Sequence, residues 1–281
     1  MFVVTGATGN VGRSVVRILA SAGERVIATS RGVSAADVPD GVRHVRADLA
    51  DADGLRPLFE GADAVFLQSG GASAERLSPR DLVDAAKAGG VGRIVLLSSQ
   101  GVATRPDSAS HGKTARRFED AVRDSGLEWT ILRPGGFASN SFAWIESVRA
   151  RREIAAPFAD TGLPVIDPDD IAEVGAAALR EDGHVGEILE LTGPVLSTPR
   201  ERAAALSEAL GEPIRFVPQT REEAYAEMVR FLPEPVVVTT LDILGAPIAA
   251  EQRISPDVER VLGRAPRPFA EWAARNAEAF R

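Results

Sequence analysis

The chain has 281 residues, of which 44% are hydrophobic and 26% are charged, as is usual for a globular protein. Its net charge of −8 excludes the basic surface that nucleic acids and anionic membranes attract, and no apolar run reaches the roughly 20 residues of a membrane span. The absence of cysteine excludes disulfides, thiol nucleophiles and thiolate metal sites. With no secretion signal recognisable, we expect a cytoplasmic protein.

The first predicted element is the strand Phe2–Thr5, which leads into the glycine turn Gly6-x-x-Gly9-x-x-Gly12 and then into an amphipathic helix at Arg13–Ala22. This order suits a dinucleotide, because the glycines allow a tight turn, approach of the pyrophosphate and close packing of helix on strand. The helix N-terminus then faces the anion. An ordinary glycine-rich turn is the alternative, but the strand and helix on either side favour a cofactor site.

Strand and helix patterns alternate through the first 135 residues, which predicts a Rossmann-type, doubly wound parallel α/β sheet. Further strands are predicted at Arg25–Thr29, Val42–Arg46, Ala64–Gln68, Arg93–Ser98 and Trp129–Arg133. The helices between them are predicted at Asp53–Phe59, Pro79–Ala88 and Thr114–Asp124.

The pattern changes after residue 135. A mixed aromatic and polar stretch (Phe137–Arg152), a helix (Pro168–Arg180) and a strand (Glu187–Leu191) come first. Helices are then predicted at Arg200–Leu210, Arg221–Phe231, Val236–Leu244, Ser255–Leu262 and Phe269–Phe280, with a strand at Ile214–Val217. We expect residues 1–135 to bind the cofactor, with 165–195 returning to the sheet. Residues 136–164 and 196–281 should form a smaller, mostly helical lobe on the substrate side.

The end of the second strand predicts which cofactor binds. An acidic residue there would hold the ribose 2′-hydroxyl of NAD, but the chain has Ser30 and Arg31, the groups that a 2′-phosphate prefers. A solvated loop arginine is the alternative for Arg31. Its position at the carboxyl end of a strand favours NADP(H).

Polar residues also end three other predicted strands. Asp48 and Leu49 could meet the adenine, Gln68, Ser69 and Gly70 could approach the ribose, and Ser98 and Ser99 could face the nicotinamide. Helix capping for Asp48, and turn formation for the serines, are the competing interpretations.

Three segments resemble one known group. The glycine turn from Thr5 to Gly12, the stretch from Ser125 to Gly135 and the pair Phe137 and Asn140 are similar to the NmrA-like, atypical short-chain dehydrogenase/reductases. That group includes NADPH-dependent quinone oxidoreductases, triphenylmethane reductases and NADP(H)-sensing regulators. The resemblance implies that Gly6, Thr8, Gly9, Asn10, Val11, Arg31, Asp48, Ser69 and Gly70 contact the dinucleotide. It places Arg133, Pro134, Gly135 and Phe137 near the nicotinamide and the substrate.

The Tyr-x-x-x-Lys pair of the wider superfamily is missing. By the family's register, His111 stands at the tyrosine position and Ala115 at the lysine position, while the single tyrosine, Tyr225, lies far along the chain. His111 is the candidate catalytic residue, because an imidazole can donate a proton or a hydrogen bond near neutral pH. A structural histidine at a helix N-terminus is the alternative. No group of residues has metal-ligand spacing.

A site without a tyrosine acid suits acceptors that need little protonation. Hydride addition to a simple ketone creates a basic alkoxide, whereas a quinone or cationic dye gives a delocalised or neutral product. The hypothesis is therefore an NADPH-dependent oxidoreductase acting on a small quinone-like or conjugated aromatic acceptor. The alternative is an NADP(H)-binding redox sensor without turnover. The oligomeric state cannot be read from the residues.

Overall fold

A parallel seven-stranded sheet forms the centre of the protein, seen in a computed structural model that describes residues 1–32, 38–68 and 74–281. Its strands are β1 (Phe2–Thr5), β2 (Val26–Ser30), β3 (Arg43–Arg46), β4 (Ala64–Gln68), β5 (Arg93–Leu97), β6 (Glu128–Pro134) and β8 (Ile188–Leu191). The strand order is β3-β2-β1-β4-β5-β6-β8, with parallel pairing throughout. The predicted Rossmann-type fold is confirmed.

Helices cover both faces of the sheet and form most of the C-terminal lobe. They are α1 (Gly12–Ser21), α2 (Ala52–Phe59), α3 (Pro79–Ala88), α4 (Gly101–Thr104), α5 (Thr114–Arg123), α6 (Ile145–Arg151), α7 (Pro168–Arg180), α8 (Pro199–Leu210), α9 (Arg221–Met228), α10 (Glu234–Gly245), α11 (Asp257–Leu262) and α12 (Phe269–Asn276). None of the helices within the described ranges is long and apolar enough to cross a membrane.

Successive side chains of the buried strands point to opposite faces of the sheet, so the core has two layers. Val4 and Phe66 belong to the layer shared with α1 and α7, whereas Val3 and Val65 belong to the layer shared with α2, α3 and α5. Successive side chains of a strand point to opposite faces, so a continuous apolar strand fills both layers at once.

Several predicted boundaries were wrong in the C-terminal lobe. The predicted strand at 214–217 is β9 (Arg215–Gln219), and its parallel partner is β7 (Glu153–Pro157), which the sequence pattern did not indicate. Parallel strands need a long crossover, so this pairing leaves no local signal. The predicted helix over 221–231 ends at Met228, and the one over 269–280 continues as a 3₁₀ helix from Ala277.

Ion pairs join the C-terminal lobe to the sheet region, and we call this set of pairs the arginine seam. The buried carboxylate of Asp170 accepts hydrogen bonds from Arg264 Nη2 and from Arg267 N, each at 2.7 Å, and also pairs with the Arg267 guanidinium. Arg275 pairs with Asp167, and Arg105 Nε lies 2.7 Å from the buried Glu251. Each pair links parts of the chain that are far apart in sequence.

Candidate cofactor and substrate site

The glycine turn after β1 has the close packing that its sequence predicts. Gly6 has a φ of +60°, a conformation that favours glycine, and the Gln68 side chain lies directly over it. A Cβ at Gly12 would lie 2.3 Å from the carbonyl oxygen of Gly6, so any side chain there would force α1 away from the turn. A Cβ at Gly9 would lie 3.2 Å from the same oxygen. The turn therefore leaves no room for a side chain at Gly6 or Gly12 and holds α1 close to β1.

The N-terminus of α1 is available to an anion because no side chain caps it. Its N-cap residue, Val11, makes no capping bond, whereas Ser78, Asp167 and Thr198 cap α3, α7 and α8 through their side chains. An uncapped first turn leaves N–H groups and the positive end of the helix dipole for a phosphate. Arg13 Nη2 donates to Thr8 O at 3.1 Å, which sets a further positive charge beside the turn. These features fit a dinucleotide pyrophosphate.

The carboxyl ends of β2 and β3 carry a group of basic residues. Arg31 directly follows β2 and is exposed, and Arg46, also exposed, stands opposite Ser30 in the parallel register. Ser30 Oγ donates to Gly32 O at 2.9 Å and lies 2.8 Å from His44 Nε2, so both functions of that hydroxyl are used within the protein. Ser30 therefore orders the turn around Arg31. Its predicted contact with the cofactor stays a prediction.

Three other predicted cofactor ligands are described at neighbouring strand ends. Asp48 Oδ1 accepts from Ala50 N at 3.0 Å, which is turn chemistry, while the half-buried Leu49 packs on the core layer next to α2. Gln68 Nε2 lies 3.4 Å from Gly6 O and so closes one side of the glycine turn. Ser69 and Gly70 lie outside the described residues.

Ser98 and Arg133 are held by a buried carboxylate that the sequence did not point to. Glu119 on α5 is fully buried, and its Oε1 accepts from Ser98 Oγ at 2.7 Å and from Arg133 Nε at 2.9 Å. Its Oε2 accepts from Arg123 and Arg133. Hydrogen bonding to Glu119 raises the pKa of the Arg133 guanidinium above its ordinary value. Both side chains thus have a protein partner, and their expected contacts with the cofactor stay predictions.

The remaining predicted residues lie around the ends of β5 and β6. Ser99 Oγ accepts from Gly101 N at 3.0 Å and so begins α4, and Pro134 is the last residue of β6. Gly135 N donates to Leu191 O at 3.0 Å, and Phe137 is half-buried against the α1 and α7 layer. The backbone of Gly135 and the rings of Pro134 and Phe137 thus form the surface at the end of β6.

His111 lies in a short π-helical turn, Ala109–Lys113, that packs on the start of α4. A Cβ at Gly101 would lie 2.5 Å from His111 O, so the turn sits tightly against the segment that follows β5. Ser110 Oγ lies 2.8 Å from Nδ1, and Thr240 Oγ1 on α10 lies 3.5 Å from Nε2. The predicted helix over 114–124 is α5, and the π turn directly precedes it.

Burial controls the charge of His111. It lowers the pKa of the half-buried imidazole below its ordinary value of 6.5; the Glu251 carboxylate opposes this effect and the Arg105 charge adds to it. Burial therefore favours the neutral form of the ring. A neutral imidazole between two hydroxyls is suited to hydrogen bonding and poorly suited to proton donation.

The tyrosine of this chain lies on a different element from His111, whereas Lys113 ends the same π turn. Tyr225 is on α9, where its hydroxyl donates to Glu234 Oε1 at 2.8 Å, and this hydrogen bond raises the pKa of the phenol. Ala115 is buried on α5. Neither residue supplies an acid next to His111.

Four contributors to the site escaped sequence analysis: Arg13, His44, Arg46 and Glu119. Strand register reveals His44 and Arg46, since parallel pairing sets them beside the end of β2. Arg13 directly follows Gly12, and a basic residue next to the glycine turn could have been predicted to face an anion. Glu119 left no local signal, because its partners come from β5 and β6.

The comparisons with known proteins agree with this geometry. Residues 6–182 match a family described as NAD(P)H-binding. The (4-alkanoyl-5-oxo-2,5-dihydrofuran-3-yl)methyl phosphate reductase of Streptomyces griseus is 36% identical over 100% of this chain and 99% of its own length. The NAD(P)H azoreductase of Xenophilus azovorans is 32% identical over 100% of this chain and 99% of its own.

A solved structure gives the same fold. The Citrobacter sp. triphenylmethane reductase, crystallised with NADP(H), superposes with a TM-score of 0.81 at 24% identity, covering 99% of this chain and 100% of that one. The similarity extends through the C-terminal lobe, beyond the 6–182 segment that carries the family match.

Proposed function

We propose that this chain, which belongs to the NAD(P)H-binding family, is an oxidoreductase of the NmrA-like, atypical short-chain dehydrogenase/reductase kind and reduces a conjugated acceptor with NADPH. The acceptor class we propose is quinone-like or otherwise conjugated. The bound cofactor would supply the hydride. The protein supplies binding, orientation and exclusion of water.

The observation that carries this proposal is the chemistry at the position of the family's tyrosine. His111, whose pKa is lowered by burial, stands there, and the partly buried Tyr225 is on α9, where it donates to Glu234. Reduction of a ketone needs a proton donor for the developing alkoxide, whereas a conjugated acceptor spreads the charge of the added hydride over its own atoms. Such an acceptor needs positioning next to the nicotinamide more than it needs acid catalysis. His111 and its hydroxyl neighbours would provide one such hydrogen bond.

The names of two relatives support the same class of acceptor. The furanone phosphate reductase is named for an unsaturated lactone, and the azoreductase for an N=N double bond. Both names describe conjugated, electron-poor groups. We therefore extend the proposed acceptors from quinones to conjugated carbonyl compounds in general.

Preference for NADPH is part of the proposal. Arg31 and Arg46 at the ends of β2 and β3 fit a 2′-phosphate, and neither Ser30 nor Arg31 can accept hydrogen bonds from a diol as a carboxylate does. The glycine turn and the uncapped α1 would hold the pyrophosphate. Residues 1–135 with 165–195 would form the cofactor side, and residues 136–164 and 196–281 the acceptor side.

The test is turnover. We expect purified protein to consume NADPH in the presence of naphthoquinone, with deuterium lost from only one face of the labelled nicotinamide. The control is His111→Gln, which keeps a hydrogen-bond donor and should retain most of the rate. Tight NADPH binding with no consumption by any quinone or conjugated carbonyl would reject the enzyme and favour the redox sensor.

A further inference from the structure

Arg202 on α8 is a buried cation without a counter-ion. Its side chain is 8% exposed and its guanidinium lies 5.7 Å from the centre of the Trp144 ring. Its one hydrogen bond runs from Nε to Thr198 O, at 3.4 Å. Among the described residues, no carboxylate pairs with Arg202, and neither Nη atom has a protein acceptor, although both keep some contact with solvent. Burial lowers the pKa of Arg202 to about 10, which leaves it charged at neutral pH.

Arg93 is an equally buried arginine, and it has carboxylate partners. Arg93 is also 8% exposed, and it pairs with Glu128 and Asp182 and donates to the carbonyl oxygen of Glu181. Leaving a buried charge without a partner costs several kcal/mol. An arginine kept in that state is typical of a ligand site, where an anion supplies the missing charge.

A second unpaired polar group lies on the element beneath Arg202. Ser141 is 2% exposed, and its Oγ has no hydrogen-bond partner. It belongs to the 3₁₀ helix Ala138–Trp144, in which residues i and i+3 are eclipsed, so Ser141 and Trp144 share one row. Trp144 is the ring under the Arg202 guanidinium. The unused hydroxyl therefore lies one 3₁₀ turn before the residue whose ring the guanidinium covers.

The same 3₁₀ helix begins next to the cofactor turn. Ser139 Oγ accepts from Asn10 Nδ2 at 3.1 Å, which fixes the start of the 3₁₀ helix to the glycine turn. At about 2 Å of rise per residue, Trp144 lies roughly 10 Å further along the helix axis. An anionic group held by Arg202 could thus belong to a small molecule that reaches the cofactor.

We infer that Arg202, assisted by Ser141, binds an anionic oxygen group of the acceptor, such as a phosphate monoester, sulfonate or carboxylate. The inference rests on the proposed function and narrows its substrate class to conjugated acceptors that carry a negative charge. Arg202 acts as a binding residue that fixes one end of the acceptor while its conjugated end meets the cofactor.

The first experiment measures anion binding without turnover. Thermal unfolding is followed with phenyl phosphate, with inorganic phosphate and without either, for the wild type, Arg202→Gln and the control Arg200→Gln. Arg200 is exposed and pairs with Asp160, so its replacement should change neither stability nor binding. Phenyl phosphate should raise the Tm of the wild type and of Arg200→Gln only. Without ligand, Arg202→Gln should unfold at or above the wild-type Tm, because an uncompensated charge is removed.

A structural role gives the opposite result. If Arg202→Gln and Arg202→Lys both lower the Tm and phenyl phosphate has no effect on the wild type, Arg202 only supports Trp144 and the inference is overturned. If inorganic phosphate matches phenyl phosphate in this assay, the site holds a free anion, and the assignment to the acceptor is rejected.

The second experiment uses turnover with a matched pair of acceptors, naphthoquinone and naphthoquinone sulfonate. Arg202→Gln should raise the KM for the sulfonate at least about tenfold, as expected for loss of a charge-assisted contact. The KM for the neutral quinone should not change. Equal changes for both acceptors would overturn the inference. If the wild type reduces neither compound, the proposed function fails, and the unfolding experiment still decides whether Arg202 binds anions.

Discussion

The sheet core and the arginine seam are stabilised by different interactions: burial of apolar side chains in the core, and ion pairs in the seam. The core layers consist of apolar side chains that alternate along continuous strands, and their stability grows with buried area. The seam consists of a few arginine–carboxylate pairs whose carboxylates are buried, and its stability depends on each pair being complete. The sheet core should therefore tolerate small changes in many places, whereas the seam should fail when one carboxylate is lost.

The largest effect is expected at the centre of the seam. Asp170→Asn removes the buried charge that Arg264 and Arg267 share and leaves both arginines paired only with Glu173. We expect a loss of about 1.5–3 kcal/mol, as for charge-assisted hydrogen bonds. Denaturant unfolding measures the loss. Asp160→Asn, at an exposed pair with Arg200, is the matched control and should leave stability unchanged. Equal stability of both variants would show that the buried ion pair contributes no more to the free energy of unfolding than an exposed pair does.

The next effect tests the cofactor end of the sheet. Arg31→Ala should reduce the preference for NADPH over NADH roughly tenfold to a hundredfold, because a charge-assisted contact contributes about 1.5–3 kcal/mol. Arg46→Ala should act in the same direction. Arg43→Ala, at the amino end of β3, is the control and should leave the cofactor preference unchanged. Titration calorimetry with both cofactors measures the preference, and an unchanged ratio in Arg31→Ala would make it an ordinary surface residue.

A smaller loss of stability is expected inside the glycine turn. Gly12→Ala sets a Cβ against the Gly6 carbonyl, an overpacking that costs about 1–3 kcal/mol and moves the N-terminus of α1 away from the phosphate site. Affinity for NADPH should fall along with stability. Gly183→Ala, where a Cβ meets nothing within 4 Å, serves as the reference. Full NADPH affinity in Gly12→Ala would contradict the close-packing argument.

The smallest effect concerns His111, which lies where the seam meets the sheet. Because burial lowers its pKa, the unfolded chain takes up a proton before the folded protein does as pH falls below 6.5. Stability should therefore decrease as pH falls through that window, and His111→Gln should flatten the dependence. Unfolding experiments at a series of pH values measure the slope. A slope unchanged in the variant would assign the pH dependence to other groups.

The sequence predicts the sheet well because its signal is local. The run from Ile94 to Leu97 and the glycine turn each carry their information within a few residues, and the structure has both where expected. Other features depend on distant partners. Glu119 is defined by Ser98 and Arg133, and β7 by β9, so no window of sequence contains them. The π turn around His111 similarly depends on α4 and α10 packing against it.

The seam also has a consequence for synthesis on the ribosome. Asp170 is translated 97 residues before Arg267, which donates both a backbone N–H and a guanidinium to it. At roughly 5–20 residues per second, the nascent chain carries Asp170 without this partner for about 5–20 s. The sheet strands have all been made by then, since β8 ends at Leu191. The last helices therefore close a sheet that has already been synthesised, and premature termination would leave its buried carboxylates unpaired.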